Sequence, residues 1–463
     1  MRAIDTPNFI ANRVGVFGML AIMHEAEKYG LSYELVDDLT GAKLGRAKSG
    51  TFRTADVVGL DTLGHVIRTM TDKLPQDPFH ALYQSPAALA TLINEGRLGQ
   101  KTGAGFFKKV GKEILRFDAA SNDYVPAAAK ADELIVRILK EKDPAKRIKA
   151  LHDASHPQAQ FLWAIFRDSF HYIAIHLDTI ADSAREIDFA LRWGFGWQQG
   201  PFELWQAAGW QQVAQWVKED IDAGRALCKA PLPDWVFDGR DAVHTPAGSW
   251  SAARRSLVPR ADLPVYARQA FRAPLVGSNT PHGRNAGTTV HEDDAVRLWH
   301  QNDGVLIFSS KTKLHVLGPD VISGLERAID EAEHNYRALV IWHADSAEGG
   351  AFSAGADLQA MLPLFMSGGT KAIEPFVARF QNTMMRVKYA NVPVVAAVAG
   401  LALGGGCELM MHASRRVALL ESYVGLVEVG VGLVPAGGGL KEIALRSARE
   451  AKGNDILQFL KDR

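Results

Sequence analysis

The sequence predicts a multidomain chain in which tandem all-α modules precede an α/β domain. Three observations carry this. Two apolar helical stretches are each followed by a similar segment, a charged spacer separates the copies, and near residue 293 the pattern changes to short strands alternating with helices. With 463 residues, 47% of them hydrophobic and 22% charged, the chain has ample material for packed cores. Its 52 basic residues balance 52 acidic ones, which argues against a general nucleic-acid binder relying on a basic field. Two cysteines, Cys228 and Cys407, cannot build a disulfide framework and favour a reducing, cytoplasmic setting. The first twenty residues are not a secretory signal, because Asp5 and Asn12 interrupt them and no small-residue cleavage site follows.

Residues 8–29 predict a buried helix. Ile10, Val14, Phe17 and Ala21 recur at helical steps, Val16, Met19 and Met23 add a second apolar face, and Thr6-Pro7 supply a start. The stretch VDDLTGAKLGRAKSGTFRTADVVGLD (36–61) then matches IDFALRWGFGWQQGPFELWQAAGW (187–210). Asp37, Gly45, Phe52 and Gly59 are spaced 8, 7 and 7; Asp188, Gly196, Phe202 and Gly209 are spaced 8, 6 and 7. The second copy follows an apolar helix at roughly 158–182. The boundaries expected are 1–125 for copy one, 126–157 for a charged helical linker with a solvated face, 158–228 for copy two, and 229–290 for a connector. The connector carries PLPDW, TPAGSW and VGSNTPHGRNAGTT, which are turn signals. From 291 to 463 the α/β domain follows: DAVRLWHQ, GVLIFSS and ALVIWHA as strands, GPDVISGLERAIDEAEH as a helix. Nineteen uncharged residues from Tyr389 to Cys407 reach transmembrane length, but Asn391, Pro393 and four glycines suit a buried strand entering a tight turn.

Three segments of the α/β domain carry chemistry. GGAFSAGADL (349–358) follows a strand; PVVAAVAGLALGGGCELMMHAS (393–414) runs from a strand through Gly404-Gly405-Gly406 into a helix bearing Glu408; YVGLVEVGVGLVPAGGG (423–439) sets Glu428 between glycine-rich stretches. A glycine run entering a helix lets a substrate approach and aims unpaired N–H groups at it. Such donors stabilise a thioester enolate, and two nearby carboxylates can manage a water and a proton. Taken singly, a glycine run before a helix is more often tight packing, and a glutamate one turn into a helix is more often a solvated charge.

In combination these segments resemble the crotonase (enoyl-CoA hydratase/isomerase) superfamily over roughly 290–450, which implies a ββα-superhelix fold. The resemblance implies Ala356 and Gly405 as oxyanion-hole donors, with Glu408 and Glu428 as catalytic carboxylates holding water. Glu428 would return the proton to the α-carbon. Having both carboxylates favours a hydratase over an isomerase, which keeps the later one. Ala436 stands where many hydratases carry Gly.

The stretch DTPNFIANRVGVF and segments 44–65 and 194–209 resemble the C-terminal domain of 3-hydroxyacyl-CoA dehydrogenases and the tandem modules of bacterial multifunctional β-oxidation proteins. Asn12 inherits an active-site role from that resemblance; by its residue type alone, an amide on a buried helix is more often a satisfied core group. The resemblance also implies NAD in the full-length family, coenzyme A within an acyl-CoA thioester substrate, and a thiolase partner or a homo-oligomer. The chain departs from the family in lacking any strand–GxGxxG–helix unit, and none of its 15 histidines stands in the family's catalytic context. His152 and His156, four apart, lack the glutamate of a zinc-protease helix, so no metal is expected. The expectation is therefore a fragment of a longer bifunctional enzyme, truncated at both ends. It would hydrate trans-2-enoyl-CoA and be unable to oxidise the product alone. The alternatives are another crotonase reaction, isomerisation or thioester hydrolysis, or a non-catalytic helical module.

Overall fold

The computed structural model describes residues 3–259, 261, 264, 287–343 and 350–450. The chain divides into two compact units, 1–279 and 280–463.

The first unit is built on two long helices, α1 (Ala11–Lys28) and a later α8. After α1 come α2 (Tyr33–Thr40), α3 (Phe52–Val58), α4 (Leu60–Lys73) and α5 (Ala87–Asn94), then an antiparallel meander of β1 (Phe107–Val110), β2 (Glu113–Asp118) and β3 (Asp123–Pro126). Two short amphipathic helices follow, α6 (Glu133–Leu139) and α7 (Pro144–Asp153), capped by the side chains of Asp132 and Asp143. The second module holds α8 (Pro157–Ile180), α9 (Ala184–Phe195), α10 (Pro201–Ala207) and α11 (Trp210–Asp222). The helix α1 is buried on most sides, as its all-round apolar pattern requires, and Phe17 stacks on Tyr172 of α8 with ring centroids 3.8 Å apart.

The repeat has a physical cause. Asp37 lies in α2 and its carboxylate accepts the N–H groups of Thr51, Phe52 and Arg53, the open N-terminus of α3. Asp188 lies in α9 and accepts those of Phe202 and Glu203 at the start of α10, at 2.8 and 2.9 Å. Each aspartate thus satisfies helix-terminal donors across a turn. Gly45 and Gly196 sit in the left-handed region at φ 67° and 65°, where a side chain is strained. Phe52 and Phe202 are buried beneath the capped helices.

The charged stretch is helical with its outer face in water, and its inner face buries Ile135, Leu139, Ile148 and Leu151. One sequence expectation is corrected here. The stretch read as a connector is, over 234–258, part of the second module: β4 (His244–Thr245), β5 (Gly248–Ser251) and β6 (Ser256–Val258) form a sheet. There His244 Nε2 reaches Asp188 at 2.8 Å and Trp210 donates to the Val236 carbonyl. The TPAGSW turn signal is the β4–β5 hairpin. Most of VGSNTPHGRNAGTT lies outside the described residues. His152 stacks on Trp216, and the His156 side chain accepts the Gln158 N–H at the start of α8.

The second unit carries a six-stranded sheet. Its strands are β7 (Thr288–Glu292), β8 (Val296–His300), β9 (Val305–Ser310), β10 (Ala338–Ile341), β11 (Val394–Val398) and β13 (Arg415–Ala418), in the order β13-β11-β10-β9-β8-β7. From β9 onward the pairing is parallel, while β7, β8 and β9 are antiparallel. Helix α12 (Pro319–Asn335) makes the β9–β10 crossover and buries Val321, Ile322, Leu325 and Ile329. Helix α13 (Leu358–Tyr389) is kinked at Gly369 and contains Pro363 and Pro375. The segment long enough for a membrane span is instead β11 and β12 (Leu401–Leu403), ending at Gly404 with φ 51°. No helix among the described residues is long and apolar enough to cross a membrane.

Candidate active site

A shared ladder brings the candidate donors together. Strand β12 pairs with β14 (Tyr423–Gly425) on one side and with Ser353 on the other, through Ser353 N–H to Leu401 O and Leu403 N–H to Ser353 O at 3.0 and 2.9 Å. The segment 353–356 therefore runs beside the strand that leads into α14 (Gly405–His412). A Cβ placed on Gly405 would lie 3.3 Å from Ala356 N, and one on Gly355 would lie 3.3 Å from Gly405 N. Both approaches are tight, and Gly355 also sits at φ 104°, where a side chain is strained. Among the described residues, neither the Ala356 nor the Gly405 N–H donates a hydrogen bond.

Both carboxylates border this pair. Glu408 is 2% exposed, and its Oε1 accepts the Gly439 N–H at 2.8 Å. Burial pushes its carboxyl above the usual range, the Gly439 N–H pulls it down, and the charge of Glu428 adds to the rise. Glu428 opens a short 3-10 turn (Glu428–Val431), with Oε1 3.4 Å from where a Cβ on Gly404 would sit. Its Oε2 is buried without a hydrogen-bond partner among the described residues. The structure thus gathers Ala356, Gly405, Glu408 and Glu428 at one place. It puts Asn12 in the first unit, exposed on the opening turn of α1, which corrects the core-amide alternative. Its neighbour Arg13 is the buried one, bonded to Asp77, Thr6 and Tyr172.

An enoyl-CoA hydratase/isomerase family model matches residues 304–446, and a 3-hydroxyacyl-CoA dehydrogenase C-terminal domain model matches residues 9–109. Two different parts of the chain thus match two enzyme families. A probable 3-hydroxyacyl-CoA dehydrogenase of Bacillus subtilis is 34% identical over 456 residues, covering 98% of this chain and 55% of the relative. A putative fatty acid oxidation complex trifunctional enzyme of Rickettsia felis is 27% identical over 457 residues, covering 96% and 55%. The human mitochondrial methylglutaconyl-CoA hydratase is 29% identical over 230 residues, covering 48% and 62%. The chain spans about half the length of the first two relatives.

Several groups that shape the site in the second unit carry no signature in the sequence. Leu314 and His315 occupy left-handed conformations, φ 55° and 51°, uncommon for residues with a Cβ. That turn pins the first donor segment: Leu314 O accepts the Ala354 N–H, His315 O accepts the Ser353 hydroxyl, and Leu317 N–H donates to Gly355 O. Phe380 of α13 abuts Gly405 and Gly437. Gly437 is tightest, since a Cβ there would lie 2.2 Å from the Phe380 ring and 2.4 Å from Glu408 Oε2. Gly437→Ala is therefore expected to displace the Glu408 carboxylate and to cost about 10²-fold in the reaction proposed below for this site, the scale of an ångström's misplacement. Steady-state rates checked against the circular dichroism of the folded variant measure it.

The first unit also answers whether its residues fit NAD. Both of its sheets are small and antiparallel, and among the described residues it has no parallel strand–turn–helix unit to cradle a dinucleotide. The residues present do not fit that cofactor.

Proposed function

We propose that the second unit hydrates a trans-2-enoyl-CoA to a 3-hydroxyacyl-CoA. The observation that carries this is the pair of unbonded N–H groups, Ala356 and Gly405, beside the orphaned Oε2 of Glu428. A thioester carbonyl placed between those donors has its developing enolate charge stabilised where it forms. Water held by Glu408 and Glu428 attacks the β-carbon. The C=C electron pair moves toward the carbonyl, the carboxylates take up the water's proton, and Glu428 returns one to the α-carbon. Glu408 is fixed by the Gly439 N–H and acts as an acceptor. Two carboxylates at the site, and a relative named as a hydratase, support hydration over isomerisation. Product analysis with crotonyl-CoA tests it: 3-hydroxybutyryl-CoA is expected, and a shifted double bond or free acid would contradict it.

The pH profile carries its own sign. A carboxyl raised above its ordinary value must lose its proton before it can accept from water. Hydration is therefore expected to fall as pH drops through a point above 4.5, the ordinary glutamate value. A rate that is flat down to that pH contradicts the role of Glu408.

We further infer that the helical modules serve the oxidation of the same hydroxyacyl chain within a longer fatty-acid β-oxidation enzyme, with Asn12 facing that reaction and NAD held by residues outside this chain. The relatives' names and the matched dehydrogenase domain support this. A reducing, cytoplasmic setting is supported by Cys228 and Cys407, both buried free thiols. A thiolase partner or a homo-oligomer is what the family resemblance implies, and the word complex in the name of the Rickettsia felis relative supports an assembly.

A further inference from the structure

Where the two helical modules meet, the residues that follow the equivalent left-handed glycines touch across the seam. Gln198 N–H donates to Gly45 O at 2.8 Å, and the Arg46 guanidinium lies 4.0 Å from the centroid of the Trp197 ring. This contact forms part of a groove of about 290 Å³. Five cations line it (Lys43, Arg46, Lys140, Lys142 and Arg147) against one acid, Glu141. In a chain of zero formal charge that is a concentrated positive field. Lys43 is neutralised by Asp38 at 2.6 Å, and Arg147 donates to the Glu141 backbone carbonyl. Among the described residues, Arg46, Lys140, Lys142 and Arg147 have no carboxylate within ion-pair distance.

Arg46 matters most. Burial pushes its guanidinium down to about 10, with no carboxylate opposing the shift. Arg46 is part-buried and has no counter-charge, and an anion entering the groove would supply one. The guanidinium lies over the Trp197 ring, and a guanidinium so placed can offer a two-pronged grip on phosphate oxygens. Four unpaired cations call for more than one negative charge, and the volume suits a diphosphate with part of a nucleoside.

We propose that this seam binds a small molecule carrying a diphosphate, with Arg46 as the central ligand and Arg147 and the two lysines as its support. The site lies wholly in the first unit and is independent of the hydration reading. Two sources share the chemistry: a free nucleoside diphosphate, or the diphosphate of coenzyme A.

The test is isothermal titration of the full chain at near-physiological salt with inorganic pyrophosphate, ADP and coenzyme A. Saturable binding of pyrophosphate or of a larger diphosphate is expected. Arg46→Met should weaken it by at least roughly 10-fold, the cost of one charge-assisted contact. Arg147→Gln, at a half-exposed position, should weaken it while leaving the unliganded unfolding midpoint unchanged, which covers the case in which R46M does not fold. Lys149→Gln, outside the groove, should leave affinity unaltered. Equal binding of ADP and coenzyme A identifies the diphosphate itself as the determinant; Arg46-dependent binding of coenzyme A alone identifies the coenzyme as the source. Absence of saturable binding by all three, or wild-type affinity in both arginine variants, overturns the proposal.

Discussion

Glu428→Gln is expected to slow hydration of crotonyl-CoA by about 10²–10⁴-fold, the usual loss when a positioned acid–base group is removed. Glutamine keeps the shape and the contact with Gly404 but can neither accept the water's proton nor return one. Glu408→Gln is expected to fall in the same range, because its amide can accept the Gly439 N–H only with its oxygen, which leaves an NH2 donor where the second carboxylate oxygen would accept from water. The losses should not multiply in the double variant, since both groups act on one water. Substrate affinity should change little, because the thioester is held by backbone donors that neither substitution touches. Initial rates and binding constants for the two single variants and the double variant check this. An unchanged rate in either single variant contradicts the assigned roles.

Asp188→Ala is expected to destabilise the first unit by about 3–5 kcal/mol, the scale for removing one partner from a buried charged group. Three donors lose their acceptor together: the Phe202 and Glu203 N–H groups and His244 Nε2, in a site with no exposure to water. The capped start of α10 and the hairpin carrying His244 would both be released. Denaturant unfolding followed by tryptophan fluorescence reads the change directly, since Trp205 and Trp210 stack within this module. A loss under about 1 kcal/mol would mean that the aspartate is not what joins these elements.

The repeat spacing of Asp, Gly, Phe and Gly was visible in the sequence because each residue type has one demanding job: a carboxylate on open helix donors, a left-handed turn, a buried ring. The candidate site was visible on different grounds. Gly405 and Glu408 are ordinary choices taken singly, and only their combination with the 349–358 segment and Glu428 points to a site. What stayed hidden depends on distant partners. Phe380 reaches the site from a helix whose pattern is broken by Pro363, Gly369 and Pro375. The turn at Leu314-His315 holds the donor segment through carbonyl oxygens, which carry no side-chain signature. The β1–β3 meander and the β4–β6 sheet use strands of two to six residues, too short for an alternation to stand out. The core-amide alternative for Asn12 came from the apolar helix around it, whereas the opening turn that carries Asn12 is exposed.

The central claim is that the Ala356 and Gly405 N–H groups polarise a thioester carbonyl. Difference infrared spectroscopy of bound crotonyl-CoA, isotopically labelled at that carbonyl, measures it most directly. The account predicts a C=O stretch at lower frequency than in free solution, because two hydrogen bonds weaken the bond. A bound thioester vibrating as it does in water, or no binding to the folded chain, would contradict it.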